Sequence, residues 1–172
     1  LSACEAWDQV LILLMSASNG GLQMDTISFS CLASACEKGF RWRWALQTLE
    51  TTQVRQIFND RTLLNAVISA QEKGSTWWKA VALTMQMRRF FGCEPNVVSF
   101  NAVSSACEKA YRWTSSIQLF DWAQEKNVEV DTISGNALLA ACRNARRWCE
   151  VLELLRVFFC NDIFLDDLAL RM

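Results

Sequence analysis

Histidine is absent from this 172-residue chain, and proline and tyrosine each occur once. Without histidine there is no imidazole for acid–base work near neutral pH and none to complete the usual zinc ligand sets. The eight cysteines include no Cys-x-x-Cys pair, so neither a metal nor a cofactor is expected. A glycine-rich phosphate loop and a Ser-centred nucleophile motif are also missing. No catalytic residue is assigned, and the chain is read as a non-enzyme. No apolar run outlasts VLILLM at residues 10–15, far short of the ~20 residues a membrane helix needs, so no membrane contact is expected. Basic excess is lacking as well: 17 Lys and Arg stand against 18 Asp and Glu, a net charge of −1. Proteins that grip phosphate backbones usually carry a positive surplus.

What is present is repetition. FNAVSSACEKAYRW at residues 100–113 returns as FSCLASACEKGFRW at 29–42, LNAVISAQEKGSTW at 64–77 and GNALLAACRNARRW at 135–148. A fragment, SACEAW, opens the chain at residues 2–7. The copies end on Trp42, Trp77, Trp113 and Trp148, in steps of 35, 36 and 35 residues. A constant step of this size marks a stacked-repeat protein. In this register the full repeats are residues 26–60, 61–96, 97–131 and 132–166. Residues 1–25 are the back of an earlier repeat and 167–172 the front of a later one, as expected of a stretch from a longer array. Any targeting peptide would then lie upstream.

Each repeat holds two helical patterns. In the third, Phe100, Val103, Ala106 and Cys107 share one helix face, Lys109 to Trp113 surround a turn, and Ile117, Leu119, Phe120 and Ala123 form the apolar part of a second helix. Asp25-Thr26, Asn96-Val97 and Asp131-Thr132 read as N-caps, and Pro95 falls at a junction where it interrupts nothing. The expected fold is all-α: an α-solenoid, a superhelix of stacked 35-residue helix-turn-helix hairpins in which neighbours bury a common core. Leu168, Leu170 and Met172 would partly cap the last hairpin.

Cys4, Cys36, Cys107 and Cys142 share one repeat position, where the second copy carries Gln71. Such cysteines read as small buried hydrophobes. The tryptophan ladder reads as packing between successive units, away from the front helices. Trp44, Trp78 and Trp122 share no phase and read as local packing or surface. Glu37, Glu72 and Glu108 recur in phase, which suggests helix salt links with neighbouring lysines.

A 35-residue hairpin with a front helix reading Val-x-Phe-Asn-Ala-Val, closed by a Pro-Asn or Val-Asp junction, resembles the pentatricopeptide repeat. The match is clearest over residues 97–131 and extends over nearly the whole chain, with Gly135 replacing the usual aromatic and Ala-Cys-Glu-Lys and Trp standing where Gly and Leu are commoner. The resemblance implies single-stranded RNA as partner, one base per repeat, in chloroplast or mitochondrion. It implies base reading by the fifth residues Ser30, Asn65, Asn101 and Asn136 with the last residues Asp60, Asn96, Asp131 and Asp166. It implies base sandwiching by the second residues Ile27, Thr62, Val98 and Ile133, and backbone contact by Lys38, Lys73 and Lys109. Asn144 replaces the lysine in the fourth repeat, with Arg143, Arg146 and Arg147 close by, and Arg41 and Arg112 join the same turn region. The family's pairing rule implies a 5′-G-(C/U)-U-U-3′ preference. The competing expectation, consistent with the −1 charge, is a protein-interaction scaffold whose concave face holds a peptide. The same Asp and Asn residues also serve as helix caps whether or not they touch a base.

Overall fold

The computed structural model describes residues 9, 12, 16, 25–54, 60–126, 128 and 130–160. Asp166, most of the opening fragment and residues 161–172 lie outside the described residues. Among the described residues there are eight helices and no strand. They are α1 Thr26–Lys38, α2 Trp42–Val54, α3 Arg61–Lys73, α4 Trp77–Phe91, α5 Val97–Lys109, α6 Trp113–Glu125, α7 Thr132–Asn144 and α8 Trp148–Cys160. The fold is all-α and built from helical hairpins. Each front helix (α1, α3, α5, α7) starts on the first residue of its repeat, and each back helix starts on the recurrent Trp.

Local chemistry sets these limits. The side chains of Asp25, Asp60, Asn96 and Asp131 accept a hydrogen bond from the first turn of the following front helix, satisfying amides the helix cannot pair internally. At Asn96 and Asp131 the cap is reciprocal, because Ser99 and Ser134 accept from the cap residue's own N–H. The front helices all end in one way. In the first turn Arg41 N–H donates to the Cys36 carbonyl and Phe40 N–H to that of Glu37, with Phe40 left-handed at φ 56°. Ser75, Tyr111 and Arg146 take the same conformation at the same place, with φ 56–57°. This is the Schellman ending, made here by residues other than glycine.

The chain forms two compact units, Leu1–Glu94 and Pro95–Met172. In the first, α1 packs on α3 while α2 and α4 pack behind them. Phe29, Leu32, Cys36, Leu64, Val67, Ile68 and Met87 form its core. In the second, α5 packs on α7 with α6 and α8 behind. Its core is Phe100, Val103, Cys107, Leu138, Leu139, Cys142, Leu119, Phe120 and Phe158, where the Phe120 and Phe158 rings meet edge to face at 5.3 Å. Cys36, Cys107 and Cys142 are fully buried, the small core residues anticipated for that position.

Trp42 and Trp113 meet the turn of the next hairpin, as the packing reading of the ladder expects, whereas Trp148 is exposed and departs from it. Trp42 lies against Gly74, where an added Cβ would fall within 2.9 Å of the Trp42 Cβ and closer still to the indole. The Arg147 guanidinium stands 4.5 Å above the Trp113 ring. Trp44 and Trp78 are exposed.

Candidate nucleic-acid interface

The second and fifth residues of a repeat are three apart on a helix, and therefore on one face. On α1 this face carries Ile27 and Ser30; on α5, Val98 and Asn101; on α7, Ile133 and Asn136. Ile27, Val98 and Ile133 are 72%, 57% and 64% exposed, an unusual environment for β-branched aliphatics. Thr62 is exposed at the same place on α3, and the fifth residues Ser30, Asn65, Asn101 and Asn136 are all half-buried beside these positions.

Two of the fifth residues are bonded directly to the last residue of their own repeat. Asn101 Nδ2 donates to Asp131 Oδ2 at 2.8 Å. The Ser30 hydroxyl lies within hydrogen-bond reach of Asp60 Oδ2 and of the Thr26 carbonyl, so its single proton goes to one of them at a time. Both Asp residues divide their oxygens between two tasks. Oδ1 of Asp60 accepts from Thr62 N–H at 2.8 Å, and Oδ1 of Asp131 from Ser134 N–H at 3.0 Å. Capping and contact with the fifth residue are thus simultaneous and do not compete. Partial burial raises the Asp131 carboxyl, but hydrogen bonds from the Ser134 backbone, the Asn101 amide, the Ser134 hydroxyl and the Ile133 backbone outweigh it and hold the group below its ordinary range. Asp131 is therefore a carboxylate at neutral pH. Asn65 belongs to the first unit and Asn96 to the second. Asp166, assigned to pair with Asn136, lies outside the described residues.

Lys38, Lys73 and Lys109 each close a front helix and are exposed. The last helical turn suits a cation, since the helix dipole is negative there. Lys73 is also anchored: its Nζ lies 2.9 Å from Glu37 Oε1 of the preceding repeat and 5.8 Å from the Phe40 ring centroid. The salt link expected of the in-phase glutamates is present here, and it crosses between hairpins. Arg147 is likewise held, by Trp113 and by Glu150, whose Oε1 accepts from Arg147 Nε at 2.9 Å. Two cations of the turn region are thus already paired inside the protein.

Sequence reasoning passed over Ser28, Ser99 and Ser134, which complete the caps that orient Asp25, Asn96 and Asp131. The signal was available as Asp-x-x-Ser and Asn-x-x-Ser at three junctions. Among the described residues no group of acidic, cysteine or histidine side chains is placed to hold a metal, and no helix is long and apolar enough to cross a membrane.

No family model matches this chain, and no curated protein does. Solved structures do match in fold. The maize pentatricopeptide repeat protein PPR10 is similar over 95% of this chain at 18% identity, with a TM-score of 0.70. The same protein in complex with an 18-nt psaJ RNA element matches at 14% identity over 95% of this chain, with a TM-score of 0.71. The chain spans 23% and 26% of those two structures. The PPR domain of Arabidopsis thaliana protein-only RNase P 1, in complex with tRNA, matches at 15% identity over 98% of this chain and 90% of that one, with a TM-score of 0.82. The fold of this chain is that of pentatricopeptide repeat proteins.

Proposed function

We propose that this helical-repeat chain is a sequence-selective single-stranded RNA-binding module that reads one base per repeat. The observation that carries the reading is a recurring pair, Ser30 with Asp60 and Asn101 with Asp131, each joined across 30 residues beside an exposed aliphatic. The two relatives bound to psaJ RNA and to tRNA support RNA as the ligand.

In this mechanism the carboxylate orients and the fifth residue reads. Asp131 holds Nδ2 of Asn101, and Oδ1, an acceptor with no partner inside the protein, is buried, so the amide has to swing outward to present it to a base. Uracil offers its N3–H to such an acceptor on the Watson–Crick edge. Ser30 is a rotatable hydroxyl beside Asp60, suited to guanine. The family's pairing rule, with a pyrimidine at the Asn65 repeat and uracil at the Asn136 repeat, gives 5′-G-(C/U)-U-U-3′ from the N-terminal repeat onward. Ile27, Thr62, Val98 and Ile133 wedge between successive bases, and Lys38, Lys73 and Lys109 face the backbone. Lys73 has to exchange Glu37 for a phosphate to do so. The module acts by occupancy and not by catalysis, blocking nucleases, remodelling a transcript or positioning a partner enzyme in chloroplast or mitochondrial RNA processing, stabilisation or editing.

A second reading, a scaffold holding a peptide, draws on the net charge of −1 and the internal pairing of Lys73 and Arg147. Fluorescent RNA carrying GCUU or GUUU, a scrambled RNA and the DNA copy, each measured at two salt concentrations, separate the two. RNA reading requires tighter binding of the GCUU or GUUU strand than of either control. Equal weak binding of all strands favours the scaffold.

A further inference from the structure

The outer face of α4 departs from the faces its fellow back helices present. Trp78, Ala82, Met85 and Arg89 follow one another by four, three and four residues, so they share one side of the helix, and all four are exposed. The same places on α6 hold Thr114, Gln118, Asp121 and Glu125, also exposed, and the first three on α2 hold Arg43, Gln47 and Glu50. Those are ordinary solvated faces. On α4 the stripe has become apolar, and its last position carries the opposite charge to that of α6. Trp78 is 53% exposed and Phe90 55%, and the Trp77 ring braces the Trp78 indole edge to face at 6.0 Å.

An open groove of about 490 Å³ runs beside this face, between α2 and α4. Leu46 and Leu49 line it from α2 and Leu83, Phe90 and Phe91 from α4, while Ala82 belongs to both groove and face. Aromatic and aliphatic side chains exposed along a groove mark a surface for a macromolecular partner. Charge narrows the choice. Lys79 stands in the first turn of α4, where the positive end of the helix dipole disfavours a cation, and Arg89 in the last. Among the described residues neither is bridged to a carboxylate: Lys79 lies 5.2 Å from the Trp42 ring centroid and Arg89 5.6 Å from that of Phe90. Arg88, by contrast, is bridged to Glu94 at 3.1 Å. Glu50 lines the groove from α2. A continuous row of phosphates would meet Glu50 as well, whereas a peptide can place its acids at the two cations alone.

We propose that this back face docks an amphipathic helix of a protein partner, with its apolar side laid in the groove and over Trp78 and Met85, and with acidic side chains ~15 Å apart, ten residues of helix, set against Lys79 and Arg89. None of the candidate base-reading residues lines the groove. The surface is therefore separate from the candidate RNA site and stands whether or not that site reads bases.

The probe is a fluorescein-labelled helical peptide of about 15 residues, the length of α4, with Leu along one side and Glu towards both ends. Its twin carries Lys for each Glu. Titration of the whole chain is followed by anisotropy and by the Trp78 indole resonance in ¹H–¹⁵N spectra. Saturable binding of the Glu peptide is expected, with the Lys peptide roughly tenfold weaker. Trp78→Thr and Met85→Asp install the residues of α6 at exposed positions, and each is expected to weaken binding roughly tenfold. Arg89→Glu should narrow or reverse the preference between the two peptides. No saturable binding of the Glu peptide up to millimolar concentration overturns the proposal. So does equal affinity for the two peptides, or undiminished binding by Met85→Asp. Displacement of the peptide by single-stranded RNA would assign the face to nucleic acid, and self-association that Met85→Asp abolishes would assign it to a second copy of the chain; either result overturns it too.

Discussion

Asn101 and Asp131 stand 30 residues apart, yet the amide nitrogen of one lies 2.8 Å from a carboxylate oxygen of the other. The second oxygen of Asp131 caps α7 through Ser134 N–H at 3.0 Å. One carboxylate thus ties the first helix of its own repeat to the start of the next. Asp131→Ala removes both bonds, and loss of the cap alone costs about 1 kcal/mol. A double-mutant cycle with Asn101→Ala isolates the remainder, for which a coupling of about 1 kcal/mol is expected. Urea denaturation of the four proteins checks it. Strict additivity of the two single changes would show that the Asn101–Asp131 bond contributes nothing.

The same pair predicts base choice. Replacing Asn101 by Ser recreates the Ser30–Asp60 combination in the third repeat, because Asp131 remains. Preference at that base is expected to move from U toward G, measured by competition among four RNAs differing only there. An unchanged preference removes Asn101 from the reading set.

Acid should expose the state of Asp131. Its carboxyl titrates below the ordinary 3.8 in the folded protein, so the unfolded chain takes up the proton first as pH falls. The stabilisation is complete well above pH 3.8 and is lost as pH drops through the folded value. Asp131→Asn cannot titrate and should flatten that part of the curve. Chemical denaturation of both proteins between pH 2 and 6 measures the difference, and parallel curves would count against it.

The repeat step in the sequence was enough to place the hairpins. Trp42, Trp77, Trp113 and Trp148 each open a back helix, and the in-phase cysteines at 36, 107 and 142 point inward. Periodicity encodes these features because each depends only on which face of a helix a residue occupies. The Asp60 and Asp131 contacts were harder to see, because a junction Asp caps the following helix locally while its partner lies 30 residues upstream in the front helix of its own repeat. The Lys73–Glu37 pair was hidden for a related reason: an in-phase Glu and Lys adjoin in each of the first three repeats, and nothing local says that Lys73 reaches back to the preceding one. The left-handed turns at Phe40, Ser75, Tyr111 and Arg146 gave no compositional signal, since none of these residues is glycine.

Thiol chemistry gives a direct test of the core. Burial pushes the Cys36, Cys107 and Cys142 thiols up to about 11, whereas Cys31 and Cys149 are exposed. At a given alkaline pH the buried thiols carry on the order of a hundredfold less thiolate than ordinary ones, and they are also shielded from reagent. Brief iodoacetamide labelling followed by peptide mass spectrometry should modify Cys31 and Cys149 and spare the other three until denaturant is added. Early modification of Cys107 would contradict its burial.

Two adjacent turn residues separate backbone strain from packing. Ser75 sits at φ 57°, a region that disfavours any Cβ, whereas its neighbour Gly74 has an ordinary φ of −84°. Ser75→Gly relieves the strain at the Schellman position and should stabilise the chain by roughly 0.5–1 kcal/mol. Gly74→Ala acts through space instead, because its new Cβ would press into the Trp42 indole of the preceding hairpin. Forced overpacking of this kind costs about 1–3 kcal/mol. A displaced Trp42 indole would also give up its contacts with Arg43 and Lys79, each with its charge 5.2 Å from the ring centroid. In a Trp42→Ala background the obstacle is gone, and Gly74→Ala should become neutral or slightly favourable, as alanine is at the matching positions Ala110 and Ala145. Thermal or urea denaturation of the five proteins decides it: a Gly74→Ala penalty that persists without Trp42 would locate the constraint in the turn backbone and not in the packing of one hairpin on the next.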